Sequence, residues 1–149
     1  MRAVLQRVVN ASVSVEGRIS GAIESGLLVY VGVGKGDRKE DAARLAAKIA
    51  DLRIFPDDGY KMNYSVRDAG GSILAVSQFT LYADARKGRR PGYDRAASPD
   101  KARELYDDFI EQLRDTGLKV ETGVYQASMD VTYTNKGPVN ILLDTEKMF

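Results

Sequence analysis

At 149 residues, with 44% hydrophobic and 29% charged side chains and a net charge of +1, the chain has the proportions of one globular domain spanning 1–149. It contains no cysteine and no histidine, which excludes disulfides, thiol nucleophiles, His general bases, Ser-His-Asp and Cys-His machinery and the usual zinc sites. No apolar run reaches the ~18 residues of a membrane span and no secretory leader opens the sequence, so a cytoplasmic protein without membrane contact is expected, and any nucleic-acid contact must rest on a local basic patch.

In chain order, Met1 to Val9 alternates loosely and reads as a strand. Ser12 to Val15 and Arg18 to Ile23 flank Glu16-Gly17, a hairpin signal. Gly26 to Val33 has the composition of a buried strand. Gly32-Val-Gly-Lys-Gly36 lacks the spacing of a phosphate loop and reads as a turn. Asp37 with Glu40 three residues on is a helix-start signature. Ala42, Leu45, Ala46 and Ile49 follow at helical period. Pro56-Asp-Asp-Gly59 is a solvated turn, and Lys61 to Val66 is expected as a short strand beside the central one.

The central strand is opened by Gly70-Gly71 and reads Ser-Ile-Leu-Ala-Val-Ser-Gln-Phe-Thr-Leu-Tyr over 72–82. Its first half is apolar enough to be buried on both faces. Period-2 geometry would put Val76, Gln78 and Thr80 on one face, and Ala75, Ser77, Phe79 and Leu81 on the other. Ser77, Gln78 and Thr80 are polar groups in a strand of this kind, and each must find a hydrogen-bond partner or meet a ligand. Phe79 is open to two readings, a core residue or a stacking surface.

Ala83 to Ala97 is a polar loop with Arg86, Lys87, Arg89, Arg90 and Arg95 against only Asp84 and Asp94. It is the one clear basic concentration in the chain. Ser98-Pro99 then reads as an N-cap and first helical residue, and Ala102, Leu105, Tyr106, Phe109, Ile110 and Leu113 form one apolar face up to a stop at Gly117. Leu118 to Val124, Met129 to Thr134 and Val139 to Leu143 read as strands, the last two separated by a turn at Gly137-Pro138. The sum is an α+β domain, a strongly curved sheet covered by two main helices around a single core. Residue types alone leave three classes open. They are an ester hydrolase, a non-catalytic binder of structured RNA using the basic loop 86–95, and a small assembly domain.

Ser77-Gln-Phe-Thr-Leu81 together with Asn135-x-Gly-Pro-Val139 resembles the D-aminoacyl-tRNA deacylase (D-Tyr-tRNA deacylase) family. So do Met1-Arg-Ala-Val-Leu-Gln-Arg-Val8, Gly59-Tyr-Lys-Met-Asn63, Lys87-Gly-Arg-Arg-Pro91, Thr122-Gly-Val-Tyr125 and Ala127-x-Met129, in the family's order from residue 1 to about 145. The chain departs from the family's usual Thr at Asn140 and from its usual Phe-Gly at Tyr125-Gln126. The resemblance implies a barrel-like sheet layer and a homodimer with active sites at the interface. It implies hydrolysis of D-aminoacyl-tRNA, with Gly-tRNA as a further substrate, and no metal or cofactor. The 3′-terminal adenosine would sit by the catalytic residues Ser77, Gln78, Phe79 and Thr80. A cis peptide at Gly137-Pro138, with Asn135, would set chiral selectivity from the partner subunit, and Arg86, Lys87, Arg89 and Arg90 would hold tRNA. With no histidine to activate it, Thr80 is not expected to be a nucleophile. The backbone N–H groups around Phe79 and Thr80 are expected to form an oxyanion hole.

Overall fold

The computed structural model describes residues 1–148. Strand β1 (Arg2–Val15) is the organising element. It turns at Glu16-Gly17, both in left-handed backbone, into β2 (Arg18–Ile23). The first half of β1 pairs antiparallel with β3 (Gly26–Gly32), its second half with β2, and its other edge runs along β8 (Asp130–Asp144) for nearly its whole length. Strand β3 pairs parallel with β6 (Ser72–Ser77), and β6 parallel with β7 (Val120–Thr122). The edge strands β2 and β7 then meet, with a Cβ built on Gly21 falling 2.5 Å from the Thr122 carbonyl, so the sheet is a nearly closed barrel.

The parallel connections carry the helices α1 (Lys39–Asp51) and α2 (Pro99–Asp115), which pack on each other and on one face of the sheet. Ala42, Leu45, Ala46 and Ile49 are buried as their period predicts, and so are Leu105, Tyr106, Phe109, Ile110 and Leu113. Phe109 is fully buried, and truncating such a ring costs about 3–5 kcal/mol. The buried Tyr106 hydroxyl donates to the Ala75 carbonyl at 3.0 Å, which ties α2 to β6.

The expected single core is two clusters on opposite faces of the sheet. Leu27, Val29, Val31, Ile73 and Ala75 face the helices, while Leu28, Leu74 and Val76 fill the barrel with Val8, Ala11 and Val13. Ala3 and Leu5 lie on the helix side although they share odd numbering with Ala11 and Val13. The switch falls where Val8 and Asn10 of β1 oppose Asn135 and Thr134, with Val9 as the extra residue of a bulge.

Four sequence-based expectations change. The residues 61–66 give β5 (Met62–Tyr64), which pairs with β4 (Phe55–Pro56) in a separate two-stranded sheet and not with β6. The central strand stops at Ser77, so period-2 facing does not extend to Gln78, Phe79, Thr80 and Leu81. Asp37 does not cap α1, because Arg38 takes that place and its N–H donates to the Asp41 carboxylate at 2.9 Å. Gly137-Pro138 does not end a strand either. Residues 136–139 bulge out of a continuous β8, four residues opposite Arg7 alone, and the peptide between Gly137 and Pro138 is cis.

Candidate active site

At the end of β6 the Gln78 N–H makes a last ladder bond to the Val31 carbonyl at 2.7 Å. The chain then winds into a 3-10 turn over Phe79–Tyr82, closed by Leu81 N–H to the Gln78 carbonyl and Ala83 N–H to the Thr80 carbonyl. The turn lies against the end of β3 only because that strand finishes in small residues. A Cβ on Gly32 would fall 2.9 Å from the Gln78 carbonyl, and one on Gly34 2.7 Å from the Tyr82 hydroxyl. The glycines of 32–36 thus make room for the turn.

Asp37 fixes the turn from beneath. Its carboxylate is buried and accepts from the Gly34 N–H at 2.6 Å, the Tyr82 hydroxyl at 3.2 Å and the Met1 ammonium. Burial, and then the adjacent Asp37 charge, push the Tyr82 hydroxyl far above its ordinary pKa, so it stays a donor. Arg2 lies 4.6 Å from the centre of the Tyr82 ring and donates to the Leu81 carbonyl at 3.1 Å.

A cavity of about 570 Å³ opens at this junction, within the range of small-ligand sites. Ser77, Gln78 and Phe79 form one wall, Tyr93, Ala96 and Ala97 a second, and Tyr125, Gln126 and Met129 a third. Phe79 is 57% exposed, which settles its alternative readings against the core. The N–H groups of Phe79 and Thr80 lead the 3-10 turn and, among the described residues, have no acceptor. The Thr80 side chain stands off the cavity wall, and its hydroxyl accepts from the Gln78 amide at 2.5 Å. The Tyr125 hydroxyl donates to the Pro99 carbonyl at 2.7 Å, and Arg103 lies over its ring at 5.2 Å. Gln126 has φ +62, a left-handed backbone that glycine adopts freely.

The second group of expected site residues lies elsewhere. Asn135, Gly137 and Pro138 do not line this cavity, and Gly137 and Pro138 are exposed. Their bulge is held firmly. The Asn135 side chain accepts from the Val139 N–H at 3.0 Å and donates to Asn140 at 2.7 Å, and Asn140 also accepts from Gln6 at 2.9 Å. Arg7 donates to the Ile54 carbonyl at 2.7 Å and to the Lys136 carbonyl at 3.3 Å.

The basic loop is closed at its base by paired bonds between Asp84 and Gly92, at 2.8 and 2.9 Å. Arg86 folds back on Asp84, and its hydrogen bonds hold that carboxyl well below the usual range. Lys87, Arg89 and Arg90 point outward without ion pairs among the described residues. Two contributors were not singled out from the sequence. Tyr93 had a signal, as an aromatic within a cationic run, and Arg7 lay inside the quoted opening segment, but only the β1–β8 register shows that it meets the bulge.

Among the described residues no helix is long and apolar enough to cross a membrane. A family model described as D-Tyr-tRNA(Tyr) deacylase matches residues 4–144. D-aminoacyl-tRNA deacylases from Koribacter versatilis, Halothermothrix orenii and Thermotoga petrophila are 62%, 58% and 57% identical to this chain, over the whole of each sequence. A solved structure described as c-Myc DNA Unwinding Element Binding Protein superposes with a TM-score of 0.92 at 39% identity, covering 97% of this chain and 99% of that one. Another, described as a probable eukaryotic D-amino acid tRNA deacylase, gives a TM-score of 0.83 at 17% identity over 95% and 97%, a likeness of fold alone.

Proposed function

The chain belongs to the D-Tyr-tRNA(Tyr) deacylase family, and from that premise we propose that it hydrolyses the ester joining a D-amino acid to the 3′-terminal adenosine of tRNA. Free D-amino acid and tRNA are the products, and the role is chiral proofreading of translation in the cytoplasm. The observation that carries the mechanism is the pair of unengaged N–H groups on Phe79, which lines the cavity, and on Thr80, the residue next to it.

An aminoacyl ester is already activated, and its ribose carries a neighbouring hydroxyl. The site therefore does not need histidine, a metal or a cofactor. Water attacks the carbonyl carbon, with that hydroxyl relaying its proton toward the leaving ribose oxygen, and the carbonyl oxygen takes up negative charge. The Phe79 and Thr80 amides donate to it, and one such donor contributes about 2.7–4 kcal/mol. The ester C–O bond then breaks and the ribose oxygen leaves with a proton.

Chirality is assigned to the partner subunit of a homodimer. Its Gly137-Pro138 bulge would enter this cavity and present carbonyl oxygens to the substrate ammonium, with no N–H at Pro138 to compete. Fixed main chain in that place blocks the side chain of an L-amino acid, and no rotamer change relieves the clash. Leu142 and Tyr133 of β8 are 58% and 38% exposed, apolar surface of the kind that a second copy covers. Arg86, Lys87, Arg89 and Arg90 would meet tRNA phosphates.

The direct test is release of amino acid from D-Tyr-tRNA and L-Tyr-tRNA. Hydrolysis of the D form only is expected, while binding without release would favour a non-catalytic RNA-binding role for loop 86–95. Glycine has no side chain for a steric filter to reject. Gly-tRNA should therefore be cleaved while matched L-Ala-tRNA is spared, and equal resistance of both would mean that the D side chain is recognised positively.

A further inference from the structure

The mouth of the cavity carries an aromatic pair for which the reaction at the ester has no use. The Phe79 and Tyr93 rings lie 5.1 Å apart at 65°, edge to face, with 57% and 38% of their surface exposed. Both line the cavity. Tyr82, Tyr106 and Phe109 of the same chain are buried, and the exposed Tyr60 and Tyr133 do not line the cavity, so Phe79 and Tyr93 are set apart by being exposed at its wall and in contact with each other.

The pair is also held in place. Phe79 opens the 3-10 turn anchored through Tyr82 and Asp37. Tyr93 follows Gly92, which is bonded to Asp84 in both directions, and its carbonyl accepts from the Ala96 N–H at 3.0 Å. Ala96 in turn bridges to Gly34. The edge-to-face contact leaves a π-face free to accept a flat group. The cations Lys87, Arg89 and Arg90 sit on the tip of the loop that rises from this base. Fixed aromatic rings beside unpaired cations are the chemistry of single-stranded nucleic-acid recognition.

Resting on the deacylase reading, we infer that Tyr93, braced by Phe79, is a stacking platform for the base immediately 5′ of the terminal adenosine. The ester carbonyl must reach the Phe79 and Thr80 amides, so the terminal nucleotide occupies the cavity. The strand leaving it passes over the Phe79–Tyr93 pair toward the basic tip. The first base outside the cavity therefore meets the Tyr93 ring. Stacking tolerates any base, so the platform serves the common 3′ end of all tRNAs and not one tRNA's sequence.

The test compares two non-hydrolysable ligands, the 3′-amide of D-tyrosine on adenosine alone and on the trinucleotide CCA. Their affinities are measured with the wild-type protein and with Tyr93→Leu and Tyr93→Phe. The wild type should bind the trinucleotide at least about ten-fold tighter than the mononucleotide. That ratio should collapse toward one in Tyr93→Leu and persist in Tyr93→Phe, which keeps the ring. A ratio unchanged in Tyr93→Leu, or no gain in the wild type, overturns the proposal. An equal loss on both ligands overturns it too, since Tyr93 would then serve the terminal adenosine. Failure of the deacylase reading is separate, because wild-type protein would then leave D-Tyr-tRNA intact.

Discussion

Thr80 shows why a residue type is a poor guide to its chemistry. It is a hydroxyl in the site motif, yet it faces Gln78 and not the cavity, and no histidine exists to activate it. What the proposed reaction draws from position 80 is its N–H, which every residue but proline supplies. Thr80→Val should therefore cost no more than the side-chain hydrogen bond, about 0.5–1.5 kcal/mol or at most roughly ten-fold in kcat/KM. Complete loss of turnover in a folded variant, or an acyl group trapped on Thr80, would sink this assignment. Gln126 is the converse case, a side chain that the backbone tolerates at a cost. At φ +62 it holds a conformation that glycine adopts freely. Gln126→Gly should raise the urea midpoint, by the equivalent of roughly 0.5–1 kcal/mol, and an unchanged or lowered midpoint would show that the Gln126 side chain contributes more than its backbone strain costs.

Elements carry the next layer of function, and the basic loop is the clearest. Its base is fixed by the Asp84–Gly92 bonds while its cations project outward. Replacing Arg86, Lys87, Arg89 and Arg90 with Ala should weaken binding to many tRNAs alike and flatten the salt dependence by about one unit of slope per lost contact. Arg86 should contribute least, since Asp84 already engages it. Equal slopes for wild type and quadruple variant would remove the loop from the interface. The loop was legible in the sequence because charge clustering is local, and the helices were legible because their apolar faces repeat over many residues. The end of β6 was not. Alternation predicts a continuing strand through Leu81, but the Gly32 and Gly34 backbones leave a space that only a turn fills, and that space is a tertiary fact. The same holds for Asp37, whose helix-start pattern was outweighed by two donors from distant parts of the chain, Met1 and Tyr82, together with the nearby Gly34 N–H. The β4–β5 pairing likewise replaced an expected contact with β6, which already has β3 and β7 on its two edges.

At the scale of the whole molecule the two halves of the motif are separated. Ser77, Gln78 and Phe79 line the cavity, while Gly137 and Pro138 stand on an exposed bulge that forms no part of its wall. The proposed site assembled from two chains would join them, and that proposal makes a quantitative prediction. Ala127→Trp should fill the cavity and leave the bulge intact. Gly137→Val should displace the bulge and leave the cavity intact, because a Cβ there already meets Arg7 and Val139 at 3.0 Å and φ is +136. Each variant alone should be inactive. If the variants are unfolded and refolded together, half of the dimers are mixed. A mixed dimer pairs the sound cavity of one chain with the sound bulge of the other at one of its two sites. Random association should therefore restore about a quarter of wild-type activity. If each chain used its own bulge, or if the active species were a monomer, every cavity would lack one half of the motif and mixing would restore nothing.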